Sequence, residues 1–406
     1  MSDTGIRSSE SAWARLFGRA RSRHADTSGG VRPTFPGEPG ISLREEPARD
    51  DGGFSTPDST IGRAGSVFDG RRQSSGRGDR DGSALRPARG RGDRGGPCFA
   101  VYVPPSGYAW WYIDGVSDDG TRAISIIAFV GSVFSPWYRW SGRKDPENNV
   151  CINVATYGPK GRFAMTDRGR SALRRDENTF TVGPSSLHWD GSRLFIEIDE
   201  VSSLPLVSRM QGQIVLTPSG ITDVELPLTN DDQHIWRPFA PTARIDVDLG
   251  PGWQWRGHGY FDANFGARAL EQDFDYWTWG RFPVADGSVC FYDAERRDGT
   301  RLREAFRFDA SGGLAPFDAP PVAKVRRSNW AVRRETRADP GFQPKQVKAM
   351  LDAPFYNRSV VRTKIEGFET DGVHEALDLR RFRGPWLMPM LAVRVPRRAQ
   401  WTFQAP

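Results

Sequence analysis

The stretch from Tyr108 to Phe134 reads Y-A-W-W-Y-I-D-G-V-S-D-D-G-T-R-A-I-S-I-I-A-F-V-G-S-V-F, and its composition decides the class of fold. Aromatic and β-branched side chains fill both flanks, Tyr108–Val116 and Arg122–Phe134. Between them Ser117, Asp118, Asp119 and Gly120 supply turn chemistry. Two extended runs joined by a polar turn predict paired strands, and neither run carries the 3.6-residue period of a helix.

The same texture spreads outward. Strands are expected at Cys98–Val103, Val150–Tyr157, Arg162–Thr166, Arg193–Asp199 and Gln213–Leu216. After Pro241 they resume at Ala243–Leu249, Gln254–Phe265, Tyr276–Phe282, Val289–Ala294 and Leu302–Phe308. Val360–Ile365, His374–Leu379 and Leu391–Val395 close the series. Gln343–Leu351 is the best helical candidate. The run Trp386–Val395, flanked by Arg383 and Arg397, reads as a final strand, with a membrane-touching surface as the alternative. Roughly 310 residues of this kind predict an all-β chain of two sandwiches or barrels, about 150 residues each. The division expected is 97–240 and 241–406, with the break near Pro238–Pro241.

Residues 1–96 are a different polymer, rich in Gly, Ser, Arg, Asp and Pro, and are predicted to be a disordered tail. The pentad G-R-G-D-R occurs at Gly76–Arg80 and again at Gly90–Arg94. Gly90–Gly95 also matches G-x-G-x-x-G, but no strand precedes it and no helix follows, so it is not a nucleotide motif. Within the tail, Trp13, Leu16, Phe17 and Ala20 share a helical face in Ser11–His24; chance and a short interfacial helix both explain that pattern.

Charge and cysteine content narrow the partners. The 406-residue chain has a net charge of +6 and a pI near 9.4, nearly all of its basic charge being arginine. That permits attraction to anionic membranes or nucleic acid. The tail arginines lack interleaved aromatics and are offset by acids, so nucleic acid is not an expected partner. Cys98, Cys151 and Cys290 are widely spaced and suggest neither a disulfide framework nor a zinc site. Arginines surround the few apolar residues at the N-terminus, so no signal peptide is expected. No window approaches the roughly 18 apolar residues of a membrane-spanning helix.

Chemistry concentrates at Gly257–Gly266, G-H-G-Y-F-D-A-N-F-G. In an extended segment His258, Tyr260, Asp262 and Asn264 share one face. Such alternation also describes a half-exposed strand. His234-Ile-Trp236 follows a polar turn and puts His and Trp on one side of an extended segment, a pattern that packing alone can explain. Asp273 and Asp275 are rival carboxylates. The 14 tryptophans suit either a large apolar ligand or an aromatic core. There is no H-E-x-x-H, G-x-S-x-G, P-loop or C-x-x-C, and the histidines at 24, 188, 234, 258 and 374 are scattered. No metal or cofactor is expected, and a cofactor-free reaction or simple binding remains.

The phrases 108–120 and 126–136, D-P-E-N-N-V-C-I-N-V-A-T-Y-G at 145–158, the H-I-W triplet and G-H-G-Y-F-D-A-N-F-G together resemble the carotenoid 1,2-hydratases, or hydroxyneurosporene synthases. The resemblance runs from about Gly96 to Arg398. It implies two lipocalin-like β-barrel halves and a hydro-lyase that adds water to the terminal C1=C2 bond of an acyclic carotene. It also implies peripheral contact with the cytoplasmic side of a bacterial inner membrane. The family's H-x-W and Y-x-D pattern falls on His234, Trp236, Tyr260 and Asp262, with no cofactor. Asp262 is then the expected acid, Tyr260 its hydrogen-bond partner and Trp236 a ring facing the cation. His234, or its rival His258, would handle the water. Ala263 stands where some lipocalin-like relatives have His, so Y-x-D-x-N-x-G alone does not fix the substrate. A non-catalytic isoprenoid carrier is the competing expectation.

Overall fold

The computed structural model describes residues 85–87, 95–203 and 207–398. The Ser11–His24 pattern and nearly all of the 1–96 tail lie outside them. Within that tail, Arg86–Pro87 pairs with Val224–Pro227, and Arg86 bonds to Glu225 and Asp232.

Tyr108–Ser117 and Ala123–Val130 form the expected antiparallel pair, in register from Ala109↔Val130 to Val116↔Ala123. Gly120 takes φ +68°, the left-handed conformation that the turn requires. Asp119 accepts hydrogen bonds from the Ser117 hydroxyl at 2.5 Å and the Thr121 amide at 2.9 Å, which fixes the reversal. Both strands are buried along their whole length, so both of their faces are covered. Tyr108, Trp110 and Tyr112 enter one core, while Ala109, Trp111 and Ile113 enter another.

The chain is all-β, as expected, and is built on two principal sheets. In the larger, the strands run in the order 163–165, 150–157, 123–130, 108–117, 254–266, 234–248, 209–220, 194–201, 185–189, 179–182 and 173–175. It curls on itself, and the Ser203 amide donates to the Phe163 carbonyl at 2.9 Å where the edge returns. Phe99, Trp111, Phe180, Leu187, Ile214 and Phe261 fill the enclosed side. The smaller sheet runs 314–315, 301–309, 287–296, 274–284, 368–378, 356–365 and 345–352. It covers the other face of the larger sheet, where Trp236 and Tyr260 join Trp277, Trp279, Tyr292 and Phe306 in one core. Burying an aromatic or large aliphatic side chain contributes about 1.5–3 kcal/mol, so this face-to-face packing is a principal adhesive.

Four expectations change at the level of single elements. His234–Asp248 is one continuous strand through Pro238 and Pro241. The prolines cannot donate to the ladder, and the pairing with Gln254–Gly266 shifts between Arg237 and Ala240 and again between Ala240 and Ala243. The chain passes between sheets at 267–273, through the short helix Leu270–Asp273. Gln343–Leu351 is not helical: Lys345–Asp352 is an edge strand whose two register shifts disturb the period of two. Leu391–Val395 is not a strand, because Leu387–Arg394 is a helix with Leu387 and Met388 buried; a short apolar run does not distinguish the two by period. Cys98–Val103 is a turn, closed by the Val101 amide on the Cys98 carbonyl at 3.2 Å.

Candidate active site

The strand Gln254–Gly266 lies between Tyr108–Ser117 and His234–Asp248, at the centre of the larger sheet. Its period of two sends Phe261, Ala263 and Phe265 into the enclosed core. Tyr260, Asp262 and Asn264 therefore point the other way, toward the smaller sheet. The polar face is not an exposed edge, since Tyr260 is fully buried and Asp262 is 3% exposed.

Asp262 Oδ2 accepts from Trp236 Nε1 at 2.9 Å and from the Tyr260 hydroxyl at 2.9 Å. Asn264 Nδ2 donates to Asp262 Oδ1 at 3.3 Å, and the Asn264 side-chain oxygen has no hydrogen-bond partner among the described residues. Burial pushes the Asp262 carboxyl well above the usual carboxylate range. The bonds from Trp236 and Tyr260 oppose that shift, and the nearby Glu375 and Asp114 charges add to it. When Asp262 is protonated, the two donors on Oδ2 leave Oδ1 to carry the proton. Rotating the Asn264 amide by half a turn would let its oxygen accept that proton.

A cavity opens in front of this carboxyl between the sheets. Asp262, Asn264 and Trp236 line it from the larger sheet with Trp110, Tyr112 and Phe129. Trp277, Trp279, Tyr292 and Tyr356 line it from the smaller one. Such a lining suits an apolar group with one reacting polar centre. Tyr260 does not line it; it holds Asp262 from behind.

His234 is brought near the site but not into the cavity. Its Nδ1 faces the Tyr108 hydroxyl at 2.8 Å and its Nε2 faces Asp273 Oδ2 at 2.7 Å. Burial lowers its basicity against the pull of Asp273; in the neutral ring Nε2–H would donate to Asp273 and Nδ1 accept from Tyr108. Tyr108 in turn stacks on Trp110, ring centroids 4.8 Å apart, which makes His234 a support of the cavity wall. Partial burial raises the Asp273 carboxyl, but the bonds from His234 and Arg268 outweigh it and hold the group well below its ordinary value. Asp275 is paired with Arg380 and Arg383. His258 accepts from Arg281 at 2.6 Å, and burial with that cation pushes it down to about 3.

Two charged residues of the cavity escaped the sequence reading. Arg358 and Glu375 sit opposite each other on adjacent strands and form an ion pair at 2.6 Å. Neither stood out in sequence, because each strand carries other charges, Arg362 and Lys364 in one and Glu369 and Asp371 in the other. Among the described residues no cluster of three or more His, Cys, Asp or Glu is arranged to hold a metal ion.

A family profile described as "Carotenoid hydratase CrtC" matches residues 126–404. The chain belongs to the carotenoid hydratase family. Its relatives in that family include the acyclic carotenoid 1,2-hydratase of Cereibacter sphaeroides, 65% identical over 68% of this chain and 100% of that protein. The protein of the same name from Thiocapsa roseopersicina is 37% identical over 98% of this chain and 99% of its own length. Among solved structures, CghA aligns at a TM-score of 0.45 and 12% identity, covering 73% of this chain and 95% of that one.

Proposed function

We propose that the protein adds water across the terminal C1=C2 bond of an acyclic carotene, giving the 1-hydroxy tertiary alcohol, with Asp262 as the acid. Hydration balances with alkene and water alone. Asp262 Oδ1 gives its proton to C2, the tertiary cation forms at C1, and water closes the C1–O bond. The observation that carries this reading is a buried carboxyl facing an aromatic cavity, with two donors converging on a single oxygen. As the proton leaves, that oxygen becomes anionic, and the bonds from Trp236 and Tyr260 become charge-assisted and about twice as strong. They stabilise the transition state more than the ground state, which is the requirement for acceleration. The facing rings of Trp277, Trp279 and Tyr292 supply cation–π attraction of about 0.5–2 kcal/mol. His234 acts by fixing Tyr108 and Trp110.

The cavity takes the end of a polyene, so the rest of the substrate remains outside it. We read the face formed by the helices Pro136–Trp140 and Leu387–Arg394, which pack together, as the side that meets a membrane. Trp140, Trp386 and Val393 are 52%, 54% and 60% exposed there, and tryptophan favours the bilayer interface. Phe134, which lines the cavity, lies two residues before the first helix, its ring centre 6.0 Å from that of Phe382. No helix among the described residues is long and apolar enough to cross a membrane.

The test is incubation of purified protein with an acyclic carotene in detergent and D2O, without added cofactor. The expected product is the tertiary alcohol with one deuterium at C2. Binding without alcohol would replace this reading with that of a carrier.

A further inference from the structure

Asp262 is not the only carboxyl group at the cavity. Glu375 comes from the strand Phe368–Asp378 of the facing sheet, and its Oε1 accepts from Arg358 Nε at 2.6 Å. Arg358 is buried and built in: it donates to the Ser125 hydroxyl and to the Tyr157 hydroxyl at 3.3 Å. Its guanidinium lies 4.9 Å from the Tyr112 ring centre and 5.5 Å from that of Tyr356. The Tyr356 hydroxyl is beside the same Glu375 carboxyl. Both members of the pair line the cavity. Tyr112, which Arg358 covers, is the register partner of Asp262 in the adjoining strand, so the two carboxyl groups address one space from two sheets.

A buried ion pair of this sort adds little to stability, because desolvation offsets the Coulomb attraction. Lining the cavity from the smaller sheet, with Asp262 and Asn264 on the larger one, it is a charged group suited to hold a water molecule. It also answers a chemical need that Asp262 does not meet. Once the cation is captured, the attached water must lose a proton, and a fixed carboxylate near C1 supplies the acceptor. Its negative charge also offsets the Arg358 cation where the carbocation develops.

We propose that Glu375, oriented by Arg358, binds the attacking water and takes its proton as the C1–O bond forms. The inference rests on the hydration reading above. The C1=C2 π pair takes the Asp262 proton to make the C2–H bond, and a water lone pair makes the C1–O bond. The O–H pair stays on that oxygen while the proton passes to Glu375. Proton return from Glu375 to Asp262, through water or the product hydroxyl, restores both groups.

The experiment compares wild type, Asp262→Asn, Glu375→Gln and Glu375→Asp in D2O, following alcohol formation and deuterium in the recovered carotene. Glu375→Gln keeps an oxygen for Arg358 and is expected to lower alcohol formation about 10²–10⁴-fold, the usual contribution of a general base. Its recovered alkene should gain deuterium at C2, because the cation still forms and collapses by losing a proton. Asp262→Asn should show neither alcohol nor exchange. Glu375→Asp keeps the charge beside Arg358 but not the reach, and should turn over at least tenfold slower than wild type. A folded Glu375→Gln that hydrates at the wild-type rate overturns the proposal, as does wild-type turnover by Glu375→Asp if the glutamine variant does not fold. A wild type that forms neither alcohol nor deuterated product overturns the hydration reading itself, and this inference with it.

Discussion

Replacing Asp262 with Asn separates the acid's chemistry from its place in the fold. The side-chain oxygen of Asn can still accept from Trp236 and Tyr260, now 2.9 Å from Asp262 Oδ2, so packing is preserved. What is lost is the proton. In the wild type the buried carboxyl holds it well above the ordinary value of 3.8, whereas the unfolded chain releases it. Wild-type stability therefore falls as pH rises above about 4, by about 1.4 kcal/mol per pH unit from this group, until the folded carboxyl itself ionises. The variant lacks that slope. Each pH unit above about 4 should thus move the stability difference by up to about 1.4 kcal/mol in the variant's favour until the folded carboxyl ionises, every other titration cancelling between the two proteins. Urea unfolding at pH 4, 5 and 6 measures this directly, and carotene hydration by the same samples should fall at least 100-fold. Parallel stability curves would mean that Asp262 is ionised in the fold. A carboxylate cannot protonate an alkene, and the reasoning would then fail whatever the activity.

Other perturbations probe the surroundings. Trp236→Phe removes one donor from Asp262 Oδ2 and should cost the rate roughly 10- to 100-fold, from about 1.5–3 kcal/mol for a bond to a charged group, with KM nearly unchanged. A Cβ at Gly266 would sit 2.2 Å from the Tyr108 ring, so Gly266→Ala should destabilise by about 1–3 kcal/mol, read as a lower Tm, and displace the ring that holds His234. His258, pushed to about 3 from an ordinary 6.5, takes up no proton in the fold where the unfolded chain does. Its contribution to stability is lost as pH falls below 6.5, and His258→Gln should flatten the acid limb of the unfolding curve. Replacing Trp140 and Trp386 together with Ser should weaken sedimentation with anionic vesicles at least tenfold while leaving turnover in detergent intact. Equal sedimentation would remove that face from consideration.

The sequence made the strands legible wherever period and turn chemistry agreed, as across Tyr108–Val130. It failed where a local irregularity imitated another element, as in the doubly shifted edge strand Lys345–Asp352. For the site, the phrase at 257–266 was readable because its polar side chains recur every second residue, and Asn264 belongs to that same row. Its burial was not readable, since half-exposed and doubly covered strands alternate alike. Whether a partner sheet covers the polar face depends on the packing of residues beyond Phe274. Arg358 and Glu375 were invisible for a related reason: only cross-strand register joins positions 17 residues apart.

The dry surroundings of Asp262 come from both sheets, with Trp236 and Tyr260 on one side and Trp277, Trp279 and Tyr292 on the other. A nascent chain that has emerged only as far as Gly266 would carry an ordinary, hydrated carboxylate at position 262. On the proposed mechanism, acidity toward a polyene would thus arise late in biosynthesis, when the strands from Phe274 to Asp378 close over that carboxylate and raise its pKa. On that mechanism, folding of the second sheet and protonation of Asp262 are one event, and an unfinished chain would be chemically harmless to the carotenes around it.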